Sequence, residues 1–90
     1  MGEASEEMVV VNTLGLHARP AAAMVNTVLP FKSDVHINVN GHQVNAKSIM
    51  GLLTLAAAQG TVMTVTCKGE DADEALEAVR KLVESGFGEE

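Results

Sequence analysis

A chain of 90 residues with 12 acidic and 6 basic side chains, net charge −6, has room for one small acidic domain. So few Lys and Arg side chains argue against phosphate-driven nucleic-acid binding, and two Phe with no Trp or Tyr leave no platform for stacking bases. The one cysteine, Cys67, has no internal disulfide partner, which excludes a disulfide-stapled secreted scaffold and fits a reducing cytoplasm.

Met1-Gly2-Glu3-Ala4-Ser5-Glu6-Glu7 is acidic and has no apolar core, unlike a signal peptide. Glu6 stands where a myristoylation motif has Ser or Thr. The apolar runs are too short for a membrane helix, so no membrane insertion is expected. We expect one domain over residues 1–90, with 1–6 and 88–90 as loose ends.

Met8-Val9-Val10-Val11 is β-branched and predicts a first strand. From Ala18 the pattern turns helical: Ala22, Val25 and Leu29 recur on one stripe, widened by Ala21, Met24 and Val28, until Pro30 ends it. Val35, Ile37 and Val39 then alternate with His36, Asn38 and Asn40, a half-exposed strand. Asn40-Gly41 favours the positive φ angles of a two-residue hairpin, which predicts a return strand from His42 to Asn45.

A second helix is predicted from Ser48 to about Ala58, ended by Gly60. Thr61 to Cys67 forms the fourth strand, with Met63, Val65 and Cys67 on one face. Asp71, with Glu74 three residues on, reads as a capping box opening the last helix. Ala75, Leu76, Val79, Leu82 and Val83 are its apolar stripe, Arg80 and Lys81 suit its negative end, and Gly86 stops it. The order β-α-β-β-α-β-α predicts an α+β fold: an antiparallel sheet covered on one face.

Two helix starts carry chemistry. His17 stands where a turn meets the first helix, beside N–H groups that lack helix partners and a positive dipole end. That environment biases imidazole towards its neutral, nucleophilic form. The same N–H groups and Arg19 can hold a phosphoryl dianion. Pro20 is tolerated in the first turn, and Gly15 lets the loop backbone approach closely. Seen alone, a histidine there is more often an exposed or capping side chain, and Arg19 a solvated charge.

Ser48 is a preferred N-cap residue, although Gly51 leaves the reciprocal half of a capping box empty. A phosphate there would be tolerated at the helix start and would add about two negative charges to the surface. Leu52 and Leu55 are the expected inward side chains of this helix. Ile49, Met50 and Leu53 would then stay partly exposed, a Met-containing patch rimmed by Arg19 and Lys47. His36 and His42 flank the hairpin without a carboxylate or cysteine to join them, so no metal site is expected.

Asn12-Thr13-Leu14-Gly15-Leu16-His17-Ala18-Arg19-Pro20-Ala21-Ala22 closely resembles the active-site segment of HPr, the histidine-containing phosphocarrier family of the bacterial phosphotransferase system. Lys47-Ser48-Ile49-Met50-Gly51-Leu52-Leu53 resembles that family's regulatory-serine segment, and the likeness runs from about Met8 to Phe87. It implies the HPr-like open-faced β-sandwich, with strands in order 1-4-2-3 and three helices on one face. It also implies that His17 takes a phosphoryl group on Nδ1 from phosphorylated Enzyme I and passes it to a histidine of an EIIA domain. Arg19 would steady the phosphate, and Ala18, Lys47, Ile49, Met50 and Leu53 would meet the partners.

By the same resemblance Ser48 would be the target of an ATP-dependent HPr kinase/phosphorylase, whose product binds a transcription regulator in some lineages. A monomeric, cytoplasmic carrier is expected, without a cofactor and without turnover of its own. Gly51 and Leu53 replace side chains that are often more polar in sugar-transport members. Ser85-Gly86-Phe87-Gly88-Glu89-Glu90 resembles the nitrogen-related branch. Two other readings compete: a regulatory paralogue acting through Ser48 and protein binding, and a small-molecule-binding domain with an incidental histidine.

Overall fold

Alternating apolar side chains and amphipathic helical stripes divide the chain into a sheet and its cover. In the computed structural model, which describes residues 2–89, the elements are β1 (Gly2–Val9), α1 (Ala18–Val28), β2 (Asp34–Val39), β3 (His42–Asn45), α2 (Ile49–Thr54), β4 (Val62–Gly69) and α3 (Ala72–Glu84). A single 3-10 turn, Gly86–Gly88, follows. The strands are ordered β1-β4-β2-β3 and every neighbouring pair is antiparallel.

The central strands carry the expected alternation. Val35 and Ile37 of β2 stand opposite Cys67 and Val65 of β4, and all four side chains are fully buried beneath the helices. On the other face Thr66 lies between His36 and Ser5, whose hydroxyl is 3.1 Å from that of Thr66. Met24 and Val28 of α1, Leu52 of α2 and Val79 and Val83 of α3 complete the core from above. Leu52 and Leu55 point inward as expected. Cys67 belongs to this core; burial first, and Asp71 second, push its thiol up to about 11, so it is no nucleophile at neutral pH.

Three expectations about strand and helix ends need correction. The first strand starts at Gly2, not Met8, so residues 2–6 are no loose end: each pairs with β4, from Gly2 opposite Gly69 to Glu6 opposite Val65. Nothing in Gly-Glu-Ala-Ser-Glu-Glu favours a strand locally; the long partner β4 recruits it. Met1 and Glu90 lie outside the described residues. The second helix stops at Thr54, well short of Ala58. Leu55 caps it, Ala56 turns left-handed at φ 49°, and Ala57 then offers its carbonyl to Leu16 N–H at 2.8 Å. The third concerns Asp71, which stands at the start of α3 but makes no side-chain cap to it. Its carboxylate instead accepts from the N–H groups of Lys32 and Ser33 and from Ser33 Oγ. Gly69 allows that crossing, because a Cβ there would lie 2.7 Å from Ser33 Cα.

Candidate functional site

The site begins as a turn. Gly15 N–H donates to Asn12 O at 3.1 Å, while Asn12 Nδ2 donates to Gly15 O at 2.8 Å, closing residues 12–15 from both ends. Gly15 has φ 72°, and a Cβ there would sit 2.4 Å from Ala57 O. That close approach lets Leu16 N–H reach Ala57 O and ties the loop to the chain leaving α2.

His17 follows as the N-cap of α1, with extended backbone at φ −87° and ψ −167°. Its carbonyl accepts the first helical bond, from Ala21 N–H at 3.0 Å. Its side chain caps nothing, so the imidazole projects from the helix start, 38% exposed. No acidic side chain occupies the first turn, and Pro20 has no N–H to satisfy. The dipole's positive end is therefore open to an anion.

The segment after α3, expected to be a loose end, supplies a partner. Gly86, Phe87 and Gly88 take φ values of 68°, 59° and 75°, three left-handed residues in succession. Phe87 is buried at 6% exposure and pins the segment to the core. Glu89 then meets the site: its Oε2 is 3.0 Å and its Oε1 3.3 Å from His17 Nε2. Asn12 Nδ2 donates to the same Oε1 at 2.9 Å. Asn12 is fully buried, and its Oδ1 has no partner among the described residues. The Glu89 side chain is only 14% exposed. Residue 89 is thus structured, contrary to expectation, because Phe87 supplies burial that the short run of glycines conceals.

Arg19 and Ala18 lie on the exposed side of the first turn, and Arg19 makes no ion pair among the described residues. Ser48 is the N-cap of α2 and its Oγ accepts from Gly51 N–H at 3.0 Å. Ile49, Met50 and Leu53 are 41%, 73% and 38% exposed, which leaves an apolar face on α2. Lys47 turns aside from that face, its Nζ donating to Phe31 O at 2.9 Å. Leu14, 75% exposed in the turn before His17, adds apolar surface that no periodicity in the sequence marks. α1 and α2 pack together, but no hydrogen bond joins Ser48 to the His17 loop among the described residues.

His36 and His42 fall on opposite faces of the hairpin: His36 faces away from the helices, whereas His42 pairs with Val39 and lies 3.0 Å from Thr54 Oγ1. Hollows of about 240 and 380 Å³ lie elsewhere, one against Glu6 and Arg80 and one against Asp34 and Lys68; neither is lined by His17 or Ser48. At the first of them Arg80 binds Glu6, which holds that carboxyl below its usual range.

Residues 4–85 match the family model described as the PTS HPr component phosphorylation site. A phosphocarrier protein HPr of Xylella fastidiosa (strain 9a5c) is 48% identical over 84 residues, 93% of this chain and 94% of the relative. The HPr-like protein Crh of Bacillus subtilis (strain 168) is 50% identical over 70 residues, 78% and 82% of the two chains. The crystal structure of HPr-C-His from Thermoanaerobacter tengcongensis superposes with a TM-score of 0.90 at 43% identity, covering 100% of this chain and 99% of that one.

Proposed function

The chain belongs to the HPr family, the phosphocarriers of the phosphotransferase system, and on that premise we propose that His17 is its phosphoryl acceptor. Phosphorylated Enzyme I is the donor and a histidine of an EIIA domain the recipient, in the cytoplasm. The observation that carries the reading is the placement of His17: an imidazole freed from capping, on a braced loop, at a helix start with no acidic side chain in its first turn.

In the transfer, the Nδ1 lone pair attacks phosphorus, and the bond from phosphorus to the donor nitrogen breaks with its electron pair returning to the donor. The first-turn N–H groups and Arg19 face the dianion and lower the cost of its charge. Half exposure suits a carrier, because a deep cage would hold the phosphate too well to hand it on. Leu14, Ile49, Met50 and Leu53 give transient partners an adaptable apolar surface of modest size. Ala18 belongs to the rim of that surface, whereas Lys47 would have to release Phe31 O to reach it.

Ser48 is the proposed regulatory position. A phosphate on its Oγ would lie at the start of α2, beside that docking face, and repel acidic partners. The similarity to the HPr-like protein Crh keeps a second reading in play, a regulatory protein that acts mainly by binding through this face, with HPr kinase/phosphorylase and a transcription regulator as partners.

Intact mass after incubation with phosphoenolpyruvate and Enzyme I separates the two. One acid-labile phosphoryl group that His17→Ala prevents is the expected result. No gain in mass, with Enzyme I active on another acceptor, overturns the carrier reading and leaves the regulatory one.

A further inference from the structure

We propose that Glu89 is a positioning residue for phosphoryl transfer, acting on the ring nitrogen of His17 that does not react. The inference rests on His17 as the acceptor and names what prepares it.

An ionised carboxylate only accepts hydrogen bonds, so the 3.0 Å contact to Glu89 Oε2 puts the proton of neutral imidazole on Nε2. Nδ1 is then the unprotonated nitrogen and carries the nucleophilic lone pair. The carboxylate is held by more than the histidine. Asn12, fully buried, donates one amide hydrogen to Glu89 Oε1 and the other to Gly15 O, so a single side chain fixes both the catalytic turn and the carboxylate. Phe87 anchors the approach from the other side, and the left-handed run from Gly86 to Gly88 aims it.

The arrangement serves both halves of the transfer. When Nδ1 bonds to phosphorus, Nε2 keeps its proton and the ring becomes a phosphoimidazolium cation, with no proton leaving. Glu89 then faces a full positive charge, so its hydrogen bond is stronger after attack than before. A carboxylate holding imidazole in one tautomer and stabilising the imidazolium is the same logic by which an aspartate supports the histidine of a serine-protease triad. In the hand-off, the cation is the better leaving group: the electron pair of the N–P bond returns to Nδ1 and neutral Nε2–H imidazole is regenerated.

Nitrogen-15 correlation spectra of the imidazole in the full, unphosphorylated chain test the contact directly at about pH 9, well above the ordinary imidazole range. The parent should show the Nε2–H tautomer, and Glu89→Ala should bring in a measurable Nδ1–H population. Glu89→Gln keeps an acceptor and should keep the tautomer while losing the charge. Phosphorylation by Enzyme I should slow about tenfold in both variants, the scale of one charge-assisted hydrogen bond. The loss should fall on the maximal rate, not on the concentration of chain giving half that rate. An unchanged tautomer in Glu89→Ala overturns the inference, as does an unchanged or faster rate, since a carboxylate that merely obstructs the site would speed transfer when removed. Thermal unfolding of both variants verifies that the fold is kept. If the parent itself takes no phosphate on His17, the carrier reading fails, and the tautomer spectra still report whether Glu89 holds Nε2.

Discussion

Asp71 heads α3 yet its carboxylate belongs to Ser33: Oδ1 accepts from Ser33 Oγ at 2.5 Å and from Ser33 N–H at 2.9 Å, while Oδ2 accepts from Lys32 N–H. A residue placed to cap its own helix thereby fastens the entry of β2 to the start of α3. The Ser33 hydroxyl first, and the Lys32 N–H next, hold the Asp71 carboxyl below its ordinary range.

That depression sets a pH dependence of stability. A carboxyl whose folded value is lowered stabilises the fold above the unfolded value, about pH 4, and the contribution is lost as pH falls through the lower folded value. Urea midpoints of the parent should therefore drop more steeply below about pH 4 than those of Asp71→Asn. Asp71→Asn should also be less stable at neutral pH. Parallel curves for the two proteins would show that Ser33 does not hold the ionised form.

Gly15→Ala should damage the site through the backbone. Its Cβ would meet Ala57 O at 2.4 Å in a left-handed conformation, so the Leu16 to Ala57 bond must break or the loop must move. The expected cost is about 2 kcal/mol, measured by chemical denaturation. Faster exchange of the Leu16 amide should accompany it, and parental protection at Leu16 would contradict the account.

At Ser48 two substitutions divide capping from charge. Ser48→Ala removes the acceptor for Gly51 N–H and should cost about 1 kcal/mol. Ser48→Asp retains a capping oxygen, so stability should stay near the parent while phosphorylation by Enzyme I slows. An equal rate for Ser48→Asp and parent would remove the electrostatic role assigned to the phosphoserine.

Arg19→Ala should leave stability within about 0.5 kcal/mol, since the side chain is exposed and without an ion pair among the described residues. Transfer from Enzyme I should slow by more than that figure would predict. Equal initial rates for Arg19→Ala and parent would detach the guanidinium from the phosphate.

The strands and helices readable in the sequence are those whose cause is local. Val35, Ile37 and Val39 alternate because β2 has one wet face, and Leu76, Val79 and Val83 recur because α3 has one dry stripe. Gly2 to Glu7 gave no such signal, since its strand exists only by pairing with β4. The premature end of α2 was equally invisible: Ala56 and Ala57 favour a helix, and the bond to Leu16 overrides them. At the site, His17 and Ser48 stood out because helix starts have a recognisable grammar. Glu89 did not, because its meeting with His17 depends on three left-handed residues and one buried phenylalanine. The nearest clue was the apolar Phe87 set between two glycines, a pattern with more purpose than a free end requires.

The left-handed run Gly86-Phe87-Gly88 also decides where foreign sequence can be joined to this protein. A peptide fused beyond Glu90 follows closely on a carboxylate held 3.0 Å from His17 Nε2, so it should slow transfer from Enzyme I. Gly2 lies at the other end of β1, roughly 23 Å along the strand from Val9, next to Gly69. An affinity handle or fluorophore attached ahead of Gly2 leaves the reactive imidazole clear, so labelled protein made that way should transfer phosphate at the parental rate.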